Sequence, residues 1–138
     1  MQALGMESGA ITDSRITASS EWDVYHGPKR ARLHTKEIGL GTGTGAWSSL
    51  TNDLNQWLQV DLGKITPVTH VATQGRNSWS PAQMVTKYKL QFSDDGASFL
   101  FYKRPRTSRP CSSIFFGVLT DGTAMFPCRM LSMVTSSE

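Results

Sequence analysis

Asn55-Gln56-Trp57-Leu58-Gln59-Val60-Asp61-Leu62-Gly63 is the stretch on which the fold turns. Side chains of a strand alternate between its two faces. Leu58, Val60 and Leu62 therefore share one face, while Trp57, Gln59 and Asp61 share the other. That pattern predicts a strand over 57–62 with Leu58, Val60 and Leu62 toward a core. Gly63-Lys64 reads as its end, and Pro67 as a fresh start before a further strand over 68–73.

The same period recurs along the chain. Thr86, Tyr88, Leu90 and Phe92 alternate with Lys87, Lys89 and Gln91, which predicts a half-buried antiparallel strand over 85–92. Ser93-Asp94-Asp95-Gly96 follows with the Asp-Gly pair of a hairpin turn, and 99–102 is the return strand. An early strand is expected over 16–19. No stretch carries a helical stripe, and no internal repeat is present. Short strands separated by turn signals indicate an all-β sandwich or barrel.

Length and charge narrow the function. A chain of 138 residues suits one domain. No apolar run approaches the ~20 residues of a membrane-spanning helix. The opening Met1-Gln2-Ala3-Leu4-Gly5-Met6-Glu7 lacks the basic flank and apolar core of a signal peptide, so either the export signal lies outside this chain or the chain stays in the cell. The net charge is +3, yet residues 1–102 hold nine Lys/Arg against nine Asp/Glu. The excess lies in 103–138, clustered at Lys103, Arg104, Arg106 and Arg109 between prolines. A neutral body with a short basic tail argues against nucleic acid as a partner. Two cysteines, Cys111 and Cys128, make no disulfide framework and no zinc spacing; paired and reduced states both stay open.

Three loops stand out. Residues 21–32 are rich in aromatic and basic side chains, 39–45 alternate glycine through Gly39-Leu40-Gly41-Thr42-Gly43-Thr44-Gly45, and 76–82 carry the isolated Trp79. Large apolar side chains on loops mark binding surface.

Read in order, the motifs resemble the discoidin family, the domain type at the C-terminus of coagulation factors V and VIII. Leu4-Gly5-Met6-Glu7-Ser8-Gly9-Ala10-Ile11 and Asp13-Ser14-Arg15-Ile16-Thr17-Ala18-Ser19-Ser20 are similar to its opening. Ala31-Arg32-Leu33 with Gly45-Ala46-Trp47, the 55–63 strand, Thr73-Gln74-Gly75-Arg76, Val85-Thr86-Lys87-Tyr88 and Ser93-Asp94-Asp95-Gly96 complete the series over 4–102. The resemblance implies a jelly-roll β-sandwich of the galactose-binding-domain-like type with ligand-binding loops at one end. It also implies a secreted or cell-surface setting, no enzymatic activity, and ligands among anionic phospholipid, collagen, glycans or receptors. By the same resemblance 21–30 matches the first ligand-contacting spike, 39–45 the second loop region and 76–81 the third spike. Calcium orders such loops in related domains, but no dedicated calcium motif is present here.

The sequence departs from the family in three places. The 33–45 linker is longer than usual, and the Cys that precedes the opening motif is absent. After Lys103 the family pattern stops. The chain divides on this reading into a discoidin-type domain at 1–103, incomplete, and a divergent segment at 104–138 that a shifted reading frame or an alternative exon would explain. Losing the family's ending removes about three strands, some of them central, and exposes edges and core. Residues 114–119, Ile-Phe-Phe-Gly-Val-Leu, offer one replacement strand or an aggregation-prone segment.

The expected ligand-binding set is Trp22, Val24, Tyr25, His26, Lys29 and Arg30 on the first loop, with Arg76, Asn77, Ser78 and Trp79 on the third. Trp22, Tyr25 and Trp79 either insert into lipid or stack on a sugar, or else pack on the sandwich end. Lys29 and Arg30 offer charge to phosphatidylserine or sulfated glycans, or are solvated loop charges. Trp47 and Trp57 read as packing residues, Arg32 as the partner of a carboxylate such as Asp61, and His70 as a packed histidine beside Val68 and Ala72. No nucleophile elbow, zinc-protease motif or dinucleotide fingerprint is present, and Asp94-Asp95 reads as a turn. Neither a catalytic residue nor a metal ligand is expected. The partner is then an anionic membrane surface, a cell-surface glycan or a protein such as collagen or a receptor.

Overall fold

The computed structural model describes residues 2–39, 42–76, 83–102, 118–120 and 126–135. Among them are eight strands: β1 Gln2–Ala3, β2 Ile16–Ala18, β3 Trp57–Val68, β4 His70–Val71, β5 Tyr88–Ser93, β6 Leu100–Phe101, β7 Val118–Thr120 and β8 Phe126–Thr135. All pairings are antiparallel. A five-stranded sheet runs β2-β3-β8-β5-β6, and a three-stranded sheet runs β1-β7-β4.

β3 organises the larger sheet. Ile16 faces Val60 and Ala18 faces Leu58 on one side; Trp57 faces Val134 and Val60 faces Leu131 on the other. The expected alternation holds: Leu58 and Val60 are buried, and Leu62 packs on the same cluster. Gly63-Lys64 does not end the strand. The register shifts between Asp61 and Thr66, and the chain stays in the sheet to Val68. Gly63 takes φ +78, open to glycine at little cost, and its N–H donates to Asp61 Oδ1 at 2.7 Å. This is a bulge inside one long strand. The strand expected over 68–73 is accordingly the last residue of β3 plus the two residues of β4.

The core is formed by Met6, Ile11, Ile16, Leu58, Val60 and Met133, with Val68 as a second centre bridged through Leu4, Leu62, Val71 and Leu90. Leu4 and Val71 bring the smaller sheet's ends against this core. Each fully buried aliphatic side chain contributes about 1.5–3 kcal/mol relative to exposure.

The expected hairpin forms, although β5 begins at Tyr88 rather than 85. Tyr88, Leu90 and Phe92 meet the core as the period demanded. Asp95 Oδ1 accepts from Ala97 N–H and Ser98 N–H, both at 2.8 Å, and from Ser93 Oγ at 2.9 Å. These bonds, that from Ser98 foremost, hold its carboxyl far below the usual range.

Residues after 104 supply strands. β7 lies between β1 and β4, and β8 lies between β3 and β5 at the centre of the larger sheet. The bare central edges expected from the loss of the family's ending do not arise, because β8 saturates the ladder on both sides. Residues 114–117 and both cysteine-flanking stretches at 111–113 and 121–125 lie outside the described residues.

Candidate functional site: the first-loop tip

The loop after β2 is fastened at its base by one amide. Gln56 is buried, and its Oε1 accepts from Ser19 Oγ at 2.7 Å and Ser20 Oγ at 2.6 Å. Its Nε2 donates to Thr51 Oγ1 and Asp53 Oδ1, each at 2.9 Å. The bond from Gln56, with those from Asn55 N–H and Thr51, pulls the Asp53 pKa down. Trp47 Nε1–H donates to the Ser20 carbonyl at 2.9 Å, and Trp22 N–H donates to the Ser48 carbonyl at 2.8 Å. Trp47 is thus a packing residue with a satisfied indole, as expected.

Beyond that base the chain makes two 3-10 turns, Val24–His26 and Pro28–Arg30. Asp23 caps the first. Its Oδ1 accepts from Tyr25 N–H at 2.8 Å, His26 N–H at 3.1 Å and His26 Nδ1 at 2.6 Å. The His26 side-chain bond is the main reason the Asp23 carboxyl titrates below its ordinary value. Pro28 opens the second turn, where its fixed φ and missing N–H cost nothing.

The first loop is laced to the second. Thr44 N–H and Oγ1 both donate to the Tyr25 carbonyl, at 3.2 and 3.0 Å, and Ser48 N–H donates to the His26 carbonyl at 3.2 Å. Arg30 Nη2 donates to the Thr42 carbonyl at 2.8 Å, and its guanidinium covers buried Gly43. Arg76 closes the third loop's base through Gln83, donating its N–H to the carbonyl and Nη1 to Oε1, both at 2.8 Å.

This lacing leaves three apolar side chains outside. Trp22 is 61 % exposed, Val24 66 % and Tyr25 42 %. Trp22 and Tyr25 sit on hydrogen-bonded backbone, through Trp22 N–H to Ser48, Tyr25 N–H to Asp23 and the Tyr25 carbonyl to Thr44, and Val24 lies in the turn that Asp23 caps. Lys29 is exposed beside them. His26 and Arg30, by contrast, turn inward and serve the loop itself. Asn77, Ser78 and Trp79 lie outside the described residues. Sequence reasoning missed Gln56 and Asp23 as organisers. Asp23 carried a signal, an Asp two and three residues before the N–H groups it caps. Gln56 had none beyond its place before Trp57.

Two further expectations change. Arg32 pairs with Asp13 and donates Nη1 to the Met6 carbonyl at 2.7 Å, while Asp61 stands 3.7 Å from Arg129. Arg32 is thus spent on the opening segment at Met6 and Asp13 and not on Asp61. His70 is exposed, its Nδ1 3.0 Å from Thr69 Oγ1. Val68 ends β3 in the larger sheet and His70 opens β4 in the smaller one, with Thr69, also buried, between them, so the alternation is broken there and His70 does not share the buried side of Val68. Among the described residues no three His, Cys, Asp or Glu side chains gather to hold a metal ion.

The sequence model of the F5/8 type C domain family matches residues 15–114. The chain belongs to that family. The non-catalytic subunit of the venom prothrombin activator omicarin-C from Oxyuranus microlepidotus is 42% identical over 108 residues, which is 76% of this chain and 7% of that protein. The domain therefore aligns to a small part of that longer relative. Among solved structures, discoidin II from Dictyostelium discoideum superposes with a TM-score of 0.66 at 21% identity, covering 87% of this chain and 48% of that one. The family 32 carbohydrate-binding module of Clostridium perfringens NanJ, solved in complex with galactose, gives 0.57 at 18% identity over 91% and 85%. The fold is the discoidin-type β-sandwich. No helix among the described residues is long and apolar enough to cross a membrane.

Proposed function

We propose that this F5/8 type C domain is a non-catalytic extracellular adhesion module that docks on anionic phospholipid through its first loop. The observation that carries this reading is the exposure of Trp22, Val24 and Tyr25 on a turn whose backbone is already ordered. A tip of this kind inserts into the headgroup boundary with little further loss of conformational freedom. Burying two or three such side chains yields several kcal/mol at about 25 cal/mol per Å2. Lys29 adds roughly 1 kcal/mol near an anionic surface.

Three of the expected polar contacts are spent within the loops, which supports insertion over sugar binding at the tip. His26 Nδ1 faces Asp23, Arg30 Nη2 is used by Thr42, and Arg76 Nη1 is used by Gln83, while Lys29 keeps its ammonium for a charged headgroup. The lectin-like and protein-binding readings draw on the family's range and not on a particular contact.

Vesicle co-sedimentation tests the proposal. Phosphatidylserine vesicles should pellet the chain and neutral phosphatidylcholine vesicles should not, with Trp22→Ala reducing the bound fraction at an unchanged melting temperature. Equal pelleting by both vesicle types, or wild-type binding by Trp22→Ala, would refute it. Elution by free galactose in place of vesicle binding would transfer the assignment to sugar.

A further inference from the structure

On the flank of the tip, a cleft of about 250 Å3 opens between the first 3-10 turn of the chain, Asp13–Arg15, and residues 21–29. Ile16, Val24 and Pro28 make its apolar walls, and Asp13, Glu21 and Lys29 its charges. Asp13 is committed to Arg32. The Glu21 carboxylate and the Lys29 ammonium make no hydrogen bond or ion pair among the described residues, with each other or with anything else.

The Glu21 carboxylate lies against the backbone at Gly27. Its Oε2 lies so close over buried Gly27 that a Cβ there would stand 2.7 Å away. Glycine at 27 therefore leaves the space the carboxylate occupies. Val24 projects from the same turn, with its N-terminal neighbour Asp23 fixed as the cap. The cleft thus carries a carboxylate over Gly27 beside an apolar wall and a separate ammonium on its lining.

We infer that this cleft is a subsite for a primary-ammonium zwitterion of the phosphoethanolamine class, its ammonium on Glu21 and its phosphate on Lys29. The charges are complementary and in opposite order to the ligand's. A primary ammonium has three N–H donors for the Glu21 carboxylate, whereas a trimethylammonium has none and is larger. Lysine binds phosphate as a point charge, which suits an exposed side chain on a turn. The ethylene spacer of the ligand lies along Val24 and Pro28. Two sources present this chemistry: free phosphoethanolamine, and the headgroup of phosphatidylethanolamine. The second rests on the membrane-docking reading above; the first does not.

The test is a titration of the full 138-residue chain with O-phosphoethanolamine, followed by NMR at the Val24 and Gly27 amides. Phosphocholine serves as the control. Saturable shifts are expected with phosphoethanolamine, at least ~10-fold weaker with phosphocholine and at least ~10-fold weaker in Glu21→Gln, which keeps shape and removes charge. Lys29→Gln should weaken phosphoethanolamine while leaving ethanolamine unaffected. In a second arm, phosphatidylethanolamine is added to vesicles of constant phosphatidylserine content. Glu21-dependent enhancement assigns the lipid source, and free-ligand binding without enhancement assigns the soluble one. No saturable shift, or equal shifts in Glu21→Gln and wild type, overturns the subsite. Loss of all vesicle binding with an intact free-ligand titration overturns the docking reading alone.

Discussion

The Arg30 guanidinium lies against Gly43, so close that a Cβ at 43 would stand 1.6 Å from Nη2. Gly43 also holds φ +147, which L side chains rarely adopt. The second loop is thereby clasped to the first through the Arg30–Thr42 bond. Gly43→Ala should strain the backbone and expel the clasp, at a cost of about 1–3 kcal/mol. Calorimetry should show a fall in melting temperature of several degrees. Gly9→Ala is the control. It has positive φ at +81 and meets nothing within 4 Å, so it reports the cost of a milder positive φ without a clash. Equal losses in the two variants would mean that neither the Arg30 contact nor the more extreme φ of Gly43 adds to the cost.

The tip is exposed, so removing it should separate binding from folding. Trp22→Ala and Tyr25→Ala are each expected to leave the unfolding free energy within about 0.5 kcal/mol. Each should weaken docking to phosphatidylserine vesicles about 10-fold or more. Double substitution should weaken it further, with the two losses nearly additive only if both rings enter the same layer. Denaturant melts and co-sedimentation isotherms on the same samples check both halves.

What the sequence made legible was the half-buried strands. In β3 and β5 the period-2 pattern alone placed Leu58, Val60, Tyr88, Leu90 and Phe92 correctly, because local alternation and tertiary burial agree there. β8 was not legible. Its segment, Phe-Pro-Cys-Arg-Met-Leu-Ser-Met-Val-Thr over 126–135, has a proline as its second residue and alternates imperfectly; it becomes a strand because β3 and β5 offer it two ladders. On the site, isolated aromatics between turn signals marked Trp22 and Tyr25. That Arg30 and His26 would turn inward depended on Gly43 and Asp23, contacts that residue type alone does not announce.

Asp23 should make the loop acid-sensitive. Its pKa is lowered, first by the His26 side chain and also by the Tyr25 and His26 N–H groups. A carboxyl depressed in the folded state adds stability that is fully present above its unfolded value, near 3.9, and is lost as pH falls through the folded value. The Tyr25 and His26 amide resonances should therefore hold steady down to about pH 4 and shift below it. The step should vanish in Asp23→Ala. A midpoint at the ordinary aspartate value would show that the cap does not favour the charged form.

Gln56 ties the loop's base to the sheet, and the consequences of removing it can be graded. Gln56→Ala strips acceptors from Ser19 and Ser20 and a donor from Thr51 and Asp53 in a site that is 7 % exposed. The cost should be about 1–3 kcal/mol, the usual penalty for leaving buried polar groups unpaired. Gln56→Glu keeps the acceptor for the two serines but replaces the donor with a second carboxylate facing Asp53. It should therefore be worse than Gln56→Ala at neutral pH and recover as pH falls and one carboxyl of the pair takes a proton. Denaturant unfolding of both variants at pH 7 and pH 5 decides the matter. If Gln56→Glu is no more sensitive to pH than Gln56→Ala, the amide is not donating to Asp53. The base would then be held by the serine contacts alone.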